Sequence, residues 1–134
     1  MPTLAANMQD VQKFIRALPS MSAVKPEDYA EKDGWAHVVA RTSDIKPTQL
    51  RKVFHYIKDL KREFQRNDES FDRSKVALLM PSLAYAQGRG HLPREFFELL
   101  ILCFGQEKCK TALDFESAAN FLEAIMAYHK YKQH

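Results

Sequence analysis

The stretch "TQLRKVFHYIKDLKREFQR", Thr48–Arg66, carries the most regular pattern in the chain. At about 100° per residue, as in an α-helix, its apolar side chains fall on one arc. That arc comprises Leu50, Val53, Phe54, Ile57, Leu60 and Phe64. We therefore predict an amphipathic helix that begins at Thr48, directly after Pro47, and packs this arc into a core. The polar stretch "NDES", residues 67–70, is its predicted end.

The same spacing of three and four between apolar residues recurs outside this stretch, whereas strict alternation is rare. Only four glycines and six prolines occur among the 134 residues. We predict an all-α fold, a single compact bundle of five to six helices joined by short connections. The other predicted helices cover residues 7–18, 26–41 and 72–88, a segment that begins at Pro93, and residues 114–131.

The predicted domain organisation separates an N-terminal helix and linker, residues 1–25, from a helical bundle domain, residues 26–134. Asn7 can cap the N-terminal helix, because asparagine is a preferred N-cap residue. The segment from Pro19 to Val24 is the predicted linker.

The overall charge is close to balanced. Lys and Arg number 20, and Asp and Glu number 17, which leaves a net charge of +3. So small a total points only weakly to a polyanionic partner, and the arrangement of the charges matters more. Cys103 and Cys109 lack the paired spacing of a zinc site and the density of a disulfide scaffold, which favours a reducing cytoplasm. We expect neither a secretion signal nor a membrane-spanning segment.

A second arc of the Thr48–Arg66 helix is basic, and we call it the basic rail. It comprises Arg51, His55, Lys58, Arg62 and Arg66. Residues spaced three and four apart stack along one edge of a helix, here over about 22 Å at about 1.5 Å per residue. Such an edge can meet successive phosphates of a nucleic-acid strand without reading any base. The alternative is a solvated face with Asp59 and Glu63 as partial counterions.

No pattern indicates catalysis or a bound cofactor. The five histidines are scattered, and no metal-ligand spacing, phosphate-binding loop or nucleophile motif occurs. The neighbouring acids Asp68 and Glu69 fall in a predicted solvated turn, where nothing would raise their pKa for acid catalysis. We therefore predict a protein that is not an enzyme and has neither a metal site nor a cofactor.

The stretch "LLMPSLAYAQGRG", Leu78–Gly90, is apolar on every side of a helix, which predicts a central, buried helix. Pro81 should kink this helix, unless a new helix starts there. Arg89 lies between two glycines just past the predicted end. Its guanidinium can fork onto a phosphate or cap the carbonyls at that end of the helix.

Taken together, two stretches resemble a known family. "QLRKVFHYIKDLKREF", Gln49–Phe64, followed by "LLMPSLAYAQGRG", is similar to the small subunit of the type III-A CRISPR effector, the Csm complex. The residues that match its motifs are Gln49, Leu50, Arg51, Lys52, Leu79, Pro81, Leu83, Ala84, Tyr85, Ala86 and Arg89. The resemblance extends from about Asp44 to the C-terminus.

This resemblance implies an all-helical, non-catalytic subunit in the cytoplasm of a prokaryote. Several copies would stack along the guide RNA and target RNA, beside the backbone and large subunits of the complex. The motif implies RNA contacts by Arg51, Lys52 and Arg89, and the helical arc adds Lys58, Arg62 and Arg66. Family members often carry lysine beside the proline, where this chain has Met80 and Ser82. Arg89, Lys75 or Arg73 are candidates to replace those lysines.

Other interpretations of the sequence stay open. The chain could be a self-associating helical interaction protein whose basic face is merely solvated, or a small metal-independent nuclease. The apolar run "FFELLILCF", Phe96–Phe104, predicts a core helix, with coverage of a neighbouring copy as the alternative. Near the C-terminus, Tyr128 and Tyr131 alternate with Lys130 and Lys132. These tyrosines could stack on bases or simply pack against the protein.

Overall fold

A computed structural model describes residues 4–66 and 71–132, and all regular structure in these two ranges is helical. The α-helices are α1 (Met8–Ala17), α2 (Pro26–Tyr29), α3 (Trp35–Thr42), α4 (Pro47–Arg66), α5 (Arg73–Ala77), α6 (Leu79–Gly88), α7 (Arg94–Phe104) and α8 (Ala112–Lys132). A short 3-10 turn covers Met21–Ala23. The predicted all-α fold is confirmed. In the described ranges, no helix is both long enough and apolar enough to cross a membrane.

Some predicted features fall outside the described part of the chain. They are the helix end at residues 67–70, with Asp68 and Glu69, and the side chains of Gln49, Leu50 and Lys132.

The N-terminal helix α1 forms where the sequence predicts it. The backbone N–H of Asp10 donates to Asn7 Oδ1 at 2.9 Å, which makes Asn7 the N-cap. Met8, Val11 and Ile15 are buried on one face, which packs against α3 and α7. At its C-terminal end, the ammonium of Lys108 donates to the carbonyl of Arg16 at 2.8 Å. The predicted domain boundary after residue 25 stays a prediction.

The predicted helix over residues 26–41 is instead two helices, α2 and α3. The break lies at Asp33, which has a φ of 66°, and at Gly34. A Cβ at position 34 would lie 2.8 Å from the carbonyl oxygen of Glu31, so the close turn requires glycine. Beyond the break, α3 buries every residue from Trp35 to Ala40 and packs along α8, which places it at the centre of the bundle.

The predicted core face of α4 is confirmed wherever its side chains are described. Ile57, Leu60 and Phe64 are buried, while Val53 and Phe54 are half-buried against the same core. The helix packs against α8. Phe64 meets Phe115 of α8 edge to face, with ring centroids 5.1 Å apart, so the opposite side of α4 is left facing outward.

The predicted helix over residues 72–88 is also divided, into α5 and α6 at Leu78. Pro81 lies in the first turn of α6, where its missing N–H leaves no hydrogen bond of that helix unmade, so the alternative of a new helix near Pro81 applies. These two breaks explain why the described chain has eight α-helices, where five to six were predicted.

The prediction that residues 78–90 form a central, buried helix is wrong. In α6, Leu79 and Leu83 are buried, but Leu78 just before it and Tyr85 within it are each 66% exposed. The helix contacts α5 and α7 on one side. Met80 and Ala86 are half-buried against the core, whereas Leu78 and Tyr85 lie at the surface.

Helix α7 is a core helix, as predicted. Phe96, Leu99, Leu100, Cys103 and Phe104 are buried, and Phe97, Ile101 and Leu102 are half-buried. Helix α8 begins at Ala112, two residues before the predicted start at Asp114. Thr111 and Asp114 explain the difference, because their side chains each accept from the other's backbone N–H, at 3.1 Å and 3.2 Å. This capping box makes Thr111 the N-cap.

Candidate nucleic-acid interface

The basic rail lies on the outward side of α4. Arg51, His55, Arg62 and Arg66 are exposed, and Lys58 is half-buried. At about 100° per residue the five side chains span an arc of about 80°. This arc lies roughly opposite the buried residues of the same helix, so the packing of α4 on α8 is what turns the rail toward solvent.

The contacts that the structure gives for the rail's cationic side chains are weak. The Lys58 ammonium lies 5.6 Å from the centre of the Phe54 ring, and Arg62 Nη1 lies 4.0 Å from Asp59 Oδ1. Both partners of that ion pair are largely exposed, so the pair contributes little. Glu63, the other expected counterion, accepts a hydrogen bond from Lys75 Nζ at 2.7 Å. The Arg62 guanidinium therefore keeps most of its capacity to bind an anion.

Lys52 lies off the rail, at the edge of a groove between α4 and α6. This α4–α6 groove has a volume of about 390 Å³. Val53, Leu79 and Leu83 supply apolar lining, while Tyr56 and Tyr85 supply aromatic rings. The basic lining comes from Lys52, Arg89 and His91. Two predicted RNA-binding residues thus line the same groove, Lys52 from α4 and Arg89 from the position directly after α6.

Arg89 is free of the capping role that the sequence left open. Beyond the end of α6, the backbone N–H groups of Gly90 and His91 donate to the carbonyls of Gln87 and Ala86, both at 2.9 Å. Gly90 has a φ of 77°, as this type of helix end requires. Backbone N–H groups therefore satisfy these two carbonyls, and the Arg89 side chain is not needed to cap them. The guanidinium of Arg89 instead contacts Tyr85, with Nη1 3.1 Å from the hydroxyl oxygen.

Comparison with known proteins identifies the family. The model of Csm2 Type III-A matches residues 22–134. The chain belongs to the Csm2 Type III-A family. It is therefore a structural small subunit of the type III-A Csm complex, as the sequence resemblance implied. No curated protein and no solved structure matches the chain.

The match to Csm2 Type III-A contains the whole rail and the whole groove, whereas α1 precedes it. The motif residues of α6 divide into two groups. Leu79 and Leu83 are buried and fix the helix on the core. Tyr85 and Arg89 are exposed and line the groove, so they are available to a partner.

The residues considered as substitutes for the lysines beside the proline differ in their surroundings. Met80 is half-buried and Ser82 lies exposed in the groove. Lys75 is engaged by Glu63. Nε and Nη1 of Arg73 are buried without a hydrogen-bond partner, so that guanidinium points partly into the protein. Arg89, by contrast, is exposed and lines the groove.

The C-terminal tyrosines favour the packing interpretation. The hydroxyl of Tyr128 donates to the carbonyl of Ala30 at 2.7 Å, and its ring stacks on His37 with centroids 4.6 Å apart. Tyr131 meets the same histidine edge-on at 5.9 Å. In the part of the chain that the structure describes, no group of three or more potential metal ligands occurs.

The α4–α6 groove was not among the features predicted from the sequence. Lys52, Arg89 and the motif around Pro81 were each recognised, but nothing in their spacing showed that residues of α4 and α6 line one groove. The available signal was a run that is apolar on every side and interrupted by proline. Such a run can mark a peripheral helix with an exposed apolar face as well as a central one.

Proposed function

We propose that this small subunit binds RNA within the type III-A Csm complex through sequence-independent contacts to phosphates. Several copies stack along the guide RNA and its bound target RNA, beside the backbone and large subunits. The chain performs no catalysis and uses no cofactor, and the complex acts in the prokaryotic cytoplasm. Arg51, Lys58, Arg62 and Arg66 of the basic rail bind one strand's phosphates, with Lys52 and Arg89 alongside.

The outward orientation of the rail is the observation that carries this proposal. A solvated basic face would be expected to be well compensated by acids, yet the Arg62–Asp59 pair is long and exposed. Cations set about 5 to 6 Å apart along a helix edge can meet phosphates in turn, and each contact releases counterions. Contacts of this kind carry no base information, so we expect the subunit to have no sequence preference.

Charge reversal of the rail tests the proposal. The triple variant Arg51→Glu, Lys58→Glu and Arg62→Glu is assembled with the other Csm subunits and a guide RNA, and target RNA affinity is measured at several salt concentrations. The expected result is weaker binding. The slope of log affinity against log salt should also become shallower, by about 0.7 to 1 for each lost contact.

The matched control reverses three exposed lysines outside α4 and the groove: Lys13→Glu, Lys25→Glu and Lys110→Glu. It changes the net charge by the same amount, so a loss confined to the rail variant identifies local contacts rather than total charge. Equal affinity and equal salt slopes in the rail variant and the natural chain would contradict the proposal. They would favour a helical interaction subunit whose basic face is only solvated.

A further inference from the structure

The α4–α6 groove combines features that phosphate binding alone does not require. Its lining holds two exposed tyrosines: Tyr56 is 42% exposed and Tyr85 is 66% exposed. Below them lie Val53, Leu79 and Leu83. Exposed aromatic rings over an apolar floor are costly to leave in water, which indicates a surface that is covered in the working assembly.

The charge of the groove narrows the class of its occupant. Among the ten described residues that line it, Lys52 and Arg89 are cationic and none is acidic. Lys52 also follows Arg51 directly in the chain, so the basic lining continues into the rail. The occupant must therefore be anionic and also present a flat or apolar surface.

A nucleotide meets both requirements. A volume of about 390 Å³ suits a small ligand, whereas an amphipathic peptide helix needs a long groove with anchors over two or more turns. Tyr85 offers a ring for stacking. Arg89 holds that ring, with its guanidinium carbon 5.7 Å from the ring centre and Nη1 at the hydroxyl. Arginine and tyrosine in this arrangement are typical of surfaces that stack unpaired bases.

We propose that the α4–α6 groove takes an unpaired nucleobase from the RNA strand whose phosphates lie along the basic rail. This inference rests on the proposed function. The base stacks on Tyr85, and Lys52 and Arg89 bind the phosphates that flank it. Because any base has a flat face, the groove does not select a sequence. Arg89 acts here as a positioning residue for Tyr85 as well as a phosphate ligand.

The test compares two ligands of equal charge. The full chain is titrated with an oligouridine of about eight nucleotides and with an abasic ribose-phosphate strand of the same length. The natural chain should bind the oligouridine about tenfold more tightly than the abasic strand. Tyr85→Leu should remove this preference, because no ring remains for the base to stack on, whereas Tyr85→Phe should keep it.

Tyr131→Leu is the matched control, since it makes the same change at an exposed tyrosine on α8 and should keep the preference. Equal binding of both strands by the natural chain, or a preference that survives Tyr85→Leu, would overturn the inference but leave the proposed function standing. Binding of neither strand would also overturn the inference, whereas the proposed function is tested separately by the rail variant in the assembled complex. The rail variant should weaken both strands equally, which separates the two sites.

A second measurement identifies the occupant inside the complex. Tyr85→benzoylphenylalanine places a photoreactive group in the groove of the assembled particle. Cross-linking to RNA supports the inference. Cross-linking to another subunit or to a second copy of the chain would show that a protein segment fills the groove, and would overturn it.

Discussion

Asp114 shows how one residue joins distant parts of this chain. Its carboxylate accepts from the backbone N–H of Ser22 at 2.9 Å and from that of Lys110 at 2.9 Å. It also completes the capping box with Thr111. The 3-10 turn is thus fixed to the start of α8. Burial alone would raise the pKa of Asp114, but the backbone N–H groups of Lys110 and Ser22 outweigh it, so the pKa is lowered.

Asp114→Asn should destabilise the protein by about 2 to 3 kcal/mol, because a neutral amide replaces the ionised carboxylate that accepts from these half-buried N–H groups. Urea unfolding at neutral pH measures the change. The natural chain should also lose stability as the pH falls below 3.8, the ordinary pKa of this carboxyl group. The folded state favours the ionised carboxylate, so protonation at lower pH removes that stabilisation. The asparagine variant should lack the part of this pH dependence that arises from Asp114.

Asp59→Asn is the matched control, because Asp59 is 78% exposed and its contact with Arg62 is long. Its effect should stay within about 0.5 kcal/mol. Equal unfolding midpoints for the two variants would show that the Asp114 hydrogen bonds do not stabilise the fold.

Cys103 and Cys109 should be inert in the folded protein. Both are buried and free. Burial raises the pKa of Cys109 to about 12, and it raises that of Cys103 as well. Because the thiolate is the reactive species, Ellman's reagent at mildly alkaline pH should label neither thiol until the chain is unfolded, when both should react. Rapid labelling of one thiol in the native state would reveal local opening near the end of α7.

At the scale of elements, the segments that form helices were predictable, and the residues at which the helices begin and end were less so. The core face of α4 follows from apolar spacing alone, because one helix face determines which side chains can be buried together. The break between α2 and α3 depends on a positive φ at Asp33 and a close approach at Gly34, which no periodicity encodes. The groove is lined by residues of both α4 and α6, so it depends on tertiary structure and could not be predicted from either stretch alone.

The two glycines that flank Arg89 should respond oppositely to alanine. Gly88 lies in α6 with open space around it, so Gly88→Ala should stabilise the chain by about 0.5 to 1 kcal/mol through helix propensity. Gly90 has a φ of 77°, and Gly90→Ala should destabilise it by about 1 kcal/mol. Thermal unfolding of both variants checks the prediction. A change of the unfolding temperature in the same direction for both variants would contradict this description of the helix end.

At the scale of the whole molecule, one core holds the described helices together, and the basic rail and the α4–α6 groove lie at its surface. Helix α1 packs on α3 and α7 although it precedes the family match. The rail was predictable because charge spacing on one helix is a local property. The weak compensation of the rail by acids was not predictable. It depends on the contact of Glu63 in α4 with Lys75 in α5, which is a tertiary interaction.

Stacking along RNA, as we propose it, would make the composition of the complex depend on the length of the guide. Native mass spectrometry of Csm particles assembled on a short and on a long guide RNA tests this directly, with the chain in excess. We predict more copies of the chain on the longer guide, and fewer copies when the rail is reversed to glutamate. A copy number that stays constant across both guides and in the rail variant would contradict binding along the RNA.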